Sequence, residues 1–152
     1  MRVFTSPDGL QAAVGTELGV SGWAEITQER IDLFAEATGD RQWIHVDPER
    51  ARRESPYGTT VAHGYLTLSM LPVFIYDVIR LEGVRQSVNY GSNRVRFPAP
   101  VPAGSRLRGR IRLLAAERME GGGLRTTLQT TVEIEGSERP ACVAETMAVH
   151  YW

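Results

Sequence analysis

The sequence predicts an α+β domain in which a curved antiparallel sheet wraps around one long central apolar helix, about residues 64–79. Three observations predict it. Helical patterning fills the first half of the chain and alternating patterning the second. The run from Gly64 to Ile79 is apolar nearly all round, the mark of a helix buried on most sides. Two alternating segments flank Gly121-Gly122-Gly123; the first, Arg106 to Arg118, would span roughly 43 Å at about 3.3 Å per residue. The 152 residues fit a single domain, 1–152.

The elements follow in order. A short helix from Pro7 to Ala13 starts at Ser6 and ends near Gly15. Gly19 to Glu25 reads as a linker or a short edge strand. Thr27 is an N-cap, with Ile26 and Ile31 at hydrophobic-staple spacing. Ile31, Phe34, Ala35 and Thr38 form one buried face, and Gly39 stops the helix. Asp40 to Asp47 is expected to be a loop. Asp47-Pro48 is an N-cap and first-turn pair that opens a helix to about Glu54. Ser55 to Thr60 is a loop. The central helix begins at His63-Gly64, and Pro72 should kink it by removing the bond to the Leu68 carbonyl.

Strands begin near Arg85. Arg106, Arg108, Arg110 and Arg112 alternate with Leu107, Ile111 and Leu113, giving one wet face. Leu128, Thr130, Val132 and Ile134 form the matching apolar face of the next strand. A Gly121-Gly122 hairpin turn would set Arg108 opposite Glu135 and Arg110 opposite Glu133. The last strand, about Pro140 to Tyr151, is apolar on both faces and so belongs in a sheet interior. His150 is expected at its edge.

Composition removes whole classes of chemistry. All 17 basic residues are Arg, so Schiff-base lysines, a Walker GK[ST] loop, a kinase lysine and a Ser-x-x-Lys acylase are excluded. The single cysteine, Cys142, excludes an intrachain disulfide and a Cys-x-x-Cys site. A net charge of −1 gives no pull toward nucleic acid. The longest apolar stretch falls short of the roughly 20 residues that span a bilayer. A cytoplasmic protein with no membrane span is expected.

The three histidines bound the catalytic options. Asp40 and His45 can hold one water between them, activate it and return its proton. The same spacing is also served by an Asp40 turn cap and a packed His45. His63-Gly64 opens a helix whose N–H groups can form an oxyanion hole, or is an ordinary helix start. His45-Val46-Asp47 with His150 has the order of a 2-His-1-carboxylate iron site, but Asp47 is better used as an N-cap. Arg94 and Arg96 stand at a strand end suited to a ligand; the Arg106–Arg112 ladder reads as a solvated face.

Together these segments resemble the MaoC-like dehydratase family, also called the (R)-specific enoyl-CoA hydratase family. The resemblance rests on Phe34-Ala35-x-x-Thr38-Gly39-Asp40, Asp40-x-x-x-x-His45-x-Asp47-Pro48, Val61-Ala62-His63-Gly64-Tyr65-x-x-x-Ser69 and Val95-Arg96-Phe97-x-x-Pro100-Val101. Gln42-Trp43-Ile44-His45-Val46-Asp47-Pro48-Glu49-Arg50-Ala51 is similar to its nodulation-protein-N-like branch. The resemblance implies a hotdog fold, usually paired as a homodimer. It implies hydration or dehydration of a trans-2-enoyl thioester in fatty acid metabolism, with an (R)-3-hydroxyacyl thioester as the hydrated form. Asp40 and His45 are the implied catalytic pair, and the Gly64 N–H holds the thioester oxygen. Gln42, His63, Ser69, Arg94 and Arg96 are the expected substrate-binding residues; Arg94 or Arg96, or an arginine from a partner subunit, is expected to meet the phosphates of CoA. No metal and no cofactor beyond the CoA thioester substrate are implied. Gln42-Trp43 stands where many members have Asn-Pro. A hotdog acyl-CoA thioesterase and a non-catalytic acyl-thioester-binding subunit are the alternatives.

Overall fold

A computed structural model describes residues 1–152. The elements are β1 (Arg2–Phe4), α1 (Pro7–Ala12), β2 (Glu17–Val20), β3 (Ala24–Glu25), α2 (Gln28–Thr38), α3 (Trp43–Val46), α4 (Pro48–Glu54), α5 (Gly64–Ser69), α6 (Leu71–Val78), β4 (Ile79–Leu81), β5 (Gln86–Arg96), β6 (Arg106–Met119), β7 (Gly123–Ile134) and β8 (Cys142–Tyr151). The main sheet runs β2-β6-β7-β8-β5, with β3 also on β6, and its pairings are antiparallel. The segment read as linker or edge strand is thus β2 and β3, an edge. A small parallel pair of β1 and β4 lies apart and has no signature in the sequence pattern.

Local signals place the helices. Ser6, Thr27 and Asp47 each accept a backbone N–H at their helix start, from Gly9, Arg30 and Arg50. Gly39 closes α2 at φ 78°, and Ile26 and Ile31 are both fully buried. Two expectations need correction. The central helix breaks at Met70 into α5 and α6, two residues before Pro72, because proline sits comfortably only in a first turn. It is also buried on one stripe only: Leu66, Met70, Leu71, Phe74 and Val78 face the sheet, while Tyr65, Pro72, Val73 and Tyr76 are exposed. Thr38 likewise is exposed, at the end of the α2 face.

The hairpin register also differs from expectation. Met119 pairs with Gly123, leaving Glu120, Gly121 and Gly122 as the loop, and a bulge between Leu113 and Ala115 shifts the remainder. Arg108 therefore faces Glu133, not Glu135, and Arg110 faces Thr131, not Glu133. Glu133 accepts from Arg108 at 2.7 Å and from Arg110 at 2.9 Å, while Glu135 takes Arg106. The bulge restores the odd-against-even pairing, so Leu107, Ile111 and Leu113 still share a face with Leu128, Thr130 and Ile134.

Phe74 of α6 sets how closely helix and sheet approach. A Cβ built on Gly109 would lie 2.6 Å from the Phe74 Cβ, so only glycine lets the ring settle on β6. Around this contact Leu66, Met70, Phe74, Leu107, Val132 and Ala144 form one apolar cluster. A second joins Leu10, Leu18, Val78, Ile111, Leu113 and Leu124. β8 is an interior strand, as its apolar faces require, and β5 is a long, exposed edge. No helix is long and apolar enough to cross a membrane.

Candidate active site

The structure brings Asp40, His45 and His63 together: one side-chain ligand atom from each lies within 4.8 Å of the others. Their elements explain the convergence. Gly39 ends α2 and turns the chain so that Asp40 follows at once. The expected loop contains a helical turn, α3, which carries His45. Arg50 of α4 stacks over Trp43 at 4.3 Å and pins that turn, so the Gln42-Trp43 pair has a packing role here. His63 directly precedes α5.

His45 is buried, and its Nδ1 lies 2.6 Å from the Val61 carbonyl. A carbonyl only accepts, so Nδ1 carries the proton and Nε2 keeps its lone pair. Burial is the main reason the His45 pKa lies below its ordinary value. The Val61 bond opposes that shift, nearby His63 adds to it, and Asp40 opposes it. The result is a neutral imidazole with a free basic nitrogen. Asp40 is exposed, and one of its oxygens, Oδ1, accepts from the Gln42 N–H at 3.4 Å. Turn capping and catalysis are therefore compatible roles, because Oδ2 is left over.

His63 is buried. Its Nε2 donates to the Asp40 carbonyl at 2.9 Å, and its ring stacks on His45 with centroids 3.8 Å apart. Its Nδ1 is buried with no partner. The two rings are inclined by only 25°. Lone pairs lie in the ring planes, and planes so nearly parallel do not meet within metal-bonding distance of both nitrogens. The trio does not fit a metal ion. His150 is elsewhere, so the His45–Asp47–His150 order does not form a site either.

Gln28, which the sequence reading passed over, ties the site to α2. Its Nε2 donates to the His45 carbonyl and to Asp32, both at 2.8 Å, and its Oε1 accepts from Thr60. A polar residue straight after an N-cap was the only available signal. Gly64 begins α5, and its N–H has no partner within the helix. A Cβ there would lie 3.2 Å from the Phe97 ring. A cleft of about 340 Å³ opens beside it, bounded by Tyr57, Thr67 and the Phe97–Val101 segment. Arg94 and Arg96 lie exposed at the β5 end that leads into Phe97. Ser69 is exposed, and its hydroxyl is tied to the Tyr65 carbonyl. Gln42 is exposed and meets Asp40 through its backbone. Cys142 is buried, which pushes its thiol up to about 11 and removes it as a nucleophile.

Comparison with known proteins gives the following likenesses. The MaoC like domain matches residues 10–138. The 3-hydroxyacyl-thioester dehydratase Z of Mycobacterium tuberculosis is 53% identical over 147 residues, covering 97% of each chain. Nodulation protein N of Rhizobium leguminosarum bv. viciae is 47% identical over 137 residues, covering 90% of this chain and 85% of its own. Among solved structures, a monoamine oxidase regulatory protein from Archaeoglobus fulgius superposes with a TM-score of 0.78 at 22% identity, covering 99% and 97% of the two chains. That likeness supports the hotdog fold.

Proposed function

The chain belongs to the MaoC-like dehydratase family, and from that premise we propose that Asp40, His45 and the Gly64 N–H add water to, or remove it from, a trans-2-enoyl thioester. The observation that carries this assignment is the neutral, buried His45 with its free Nε2 beside Asp40.

The steps follow from the geometry. The thioester oxygen accepts from the Gly64 N–H, which draws electrons from the double bond and makes C3 electrophilic. Asp40 orients a water, and His45 Nε2 takes one of its protons as the oxygen bonds to C3. The electron pair of the double bond moves toward C2 and the thioester oxygen. The imidazolium then returns that proton to C2, leaving the 3-hydroxyacyl thioester and a neutral His45. Dehydration is the reverse. Asp40 also steadies the imidazolium by its charge, one of the influences that raise the His45 pKa. The cycle uses no metal and no cofactor beyond the CoA carried by the substrate. Arg94 and Arg96 meet the CoA phosphates, the role left to arginine in a chain without lysine.

A homodimer in the cytoplasm completes the reading. β5 presents an exposed strand of 11 residues whose free edge invites pairing with a second copy. The uncovered Tyr65, Val73 and Tyr76 lie on the adjacent helix face. Sedimentation should give twice the chain mass; a monomer at working concentration would remove this part.

The test of the reaction is loss of enoyl-CoA absorbance with purified protein. Asp40→Asn and His45→Ala should each abolish most of it. Full activity in both variants overturns the pair. Release of free CoA from saturated acyl-CoA would point instead to a thioesterase, and acyl-CoA binding without turnover to a non-catalytic subunit.

A further inference from the structure

A second cavity, larger than the cleft beside Gly64, lies elsewhere in the molecule. It holds about 530 Å³ and lies under the far end of α6, against the first half of β5 and the last half of β8. Its walls include Pro72, Ile75, Leu128 and Met147, with apolar residues in a slight majority and Arg80, Arg85, Gln86 and Asn89 also on the lining. Three further polar side chains, bonded to one another, converge on it from three strands. His150 on β8 is buried at 8% exposure. Its Nδ1 lies 2.8 Å from Ser87 Oγ on β5, and its Nε2 lies 2.9 Å from Thr126 Oγ1 on β7. All three line the cavity.

A proton count gives the trio a direction. Neutral imidazole donates from one nitrogen and accepts at the other. One hydroxyl therefore gives its proton to His150, and the other receives the N–H and keeps its own. Neither hydroxyl makes a further side-chain bond. Whichever tautomer holds, one O–H is left to donate to a group in the cavity. An apolar pocket with a few convergent polar groups is the usual form of a small-ligand site.

The cavity is in line with the reacting centre. Tyr65, Ser69, Pro72 and Tyr76 recur at helical spacing and are all exposed. They form an open stripe along α5 and α6 from Gly64 to the cavity, whose walls include Pro72 and Tyr76. At about 1.5 Å per residue the stripe is roughly 18 Å long. A thioester held at Gly64 would lay its chain along this stripe.

We propose that this cavity receives the far end of the acyl group, and that Ser87, His150 and Thr126 select chains carrying a hydrogen-bond-accepting oxygen near that end. The inference rests on the enoyl-thioester reading and names its substrate class. A purely alkyl tail offers the spare O–H no acceptor, while a keto oxygen accepts it.

The experiment compares matched trans-2-enoyl-CoA substrates of medium and long chain, each as the plain alkyl form and as the form with a keto group next to the terminal methyl. Crotonyl-CoA, too short to reach the cavity, tests hydration separately. The expected result is a kcat/KM ratio of about fivefold to tenfold in favour of the keto form at the lengths that reach the cavity. That ratio should fall to about one in Ser87→Ala and Thr126→Val. Because it is a ratio within one variant, a general loss of folded protein does not move it. A wild-type ratio of one or less at every length overturns the inference while crotonyl-CoA hydration keeps the underlying reading. A ratio that survives in both variants also overturns it. If the wild type hydrates no enoyl-CoA, the reading fails, and calorimetric binding of the matched saturated acyl-CoAs decides the inference: tighter keto binding, lost in the variants, supports it, and equal affinities overturn it.

Discussion

His45 and His150 lie at opposite ends of the central helix and are buried alike, each 8% exposed. Burial holds both imidazoles below their ordinary pKa. What differs is their bonding. His45 has one nitrogen fixed by a backbone carbonyl and the other free beside a carboxylate. His150 has both nitrogens engaged by hydroxyls that can donate or accept. A buried, neutral histidine becomes a base only when its partner fixes the tautomer and leaves a lone pair exposed. When both nitrogens are engaged, it becomes a relay that orients other protons.

The largest effect that would test this contrast is on turnover. His45→Gln should lower kcat on crotonyl-CoA by about 10²–10⁴-fold, the usual worth of a general base. An equal loss in His150→Gln would break the comparison. Next in size is His63→Phe, which keeps a ring against His45 but removes the donor to the Asp40 carbonyl. A loss of up to about tenfold in kcat is expected. Since His63 helps depress the His45 pKa, the variant should also move the acid limb of the pH–rate profile upward. In the wild type that limb lies below pH 6.5, because activity needs neutral His45 and falls as pH drops through its lowered pKa. An unmoved limb would reduce His63 to packing.

Smaller effects concern stability. Gln28→Ala removes the donor to the His45 carbonyl and the acceptor of the Thr60 hydroxyl and should cost about 1–2 kcal/mol, read as a drop of roughly 2–8 °C in Tm. The smallest effect is the pH dependence of folding. For both histidines the unfolded chain titrates near 6.5 and the folded chain lower. Between those values the unfolded state binds more protons, so stability rises with pH, is fully present above 6.5, and is lost as pH falls through that window. Melting curves across about pH 5 to 7 would measure it. His150→Phe should flatten the dependence, and a Tm that rises on acidification would contradict both depressed pKa values.

Much of this was legible in residues with local consequences. Thr27, Gly39, Asp47 and Pro48 act within a turn of themselves, and the helices start and stop where they indicate. Gly109 interrupts the apolar positions that alternate with the arginines, and only its contact with Phe74 explains it. The bulge near Leu114 was not legible: burial moves from odd-numbered Leu113 to even-numbered Ala116, but Leu113-Leu114-Ala115-Ala116 is apolar throughout and hides the change of phase. Pro72 marked a break correctly in kind and misplaced it, since a proline can open a helix as readily as it bends one. Asp40 and His45 were singled out by family spacing, and the structure adds that His45 has one nitrogen fixed by the Val61 carbonyl and the other free. The Val61 carbonyl and the His63 stack depend on where the chain returns after Ser55 to Thr60. The Ser87–His150–Thr126 trio joins three strands, a juxtaposition that no window of sequence contains.

Gln28 carries a consequence for how the molecule comes apart. It sits in the first turn of α2 and holds the backbone of His45 and the hydroxyl of Thr60 at once. Fraying of that turn would release the segment bearing the base before the sheet beneath it loosens. The start of α2 and the residues around His45 should therefore open as one cooperative unit. Hydrogen exchange would register the amides of Arg30 to Leu33 and of His45 with a shared opening free energy, below that of β7 and β8.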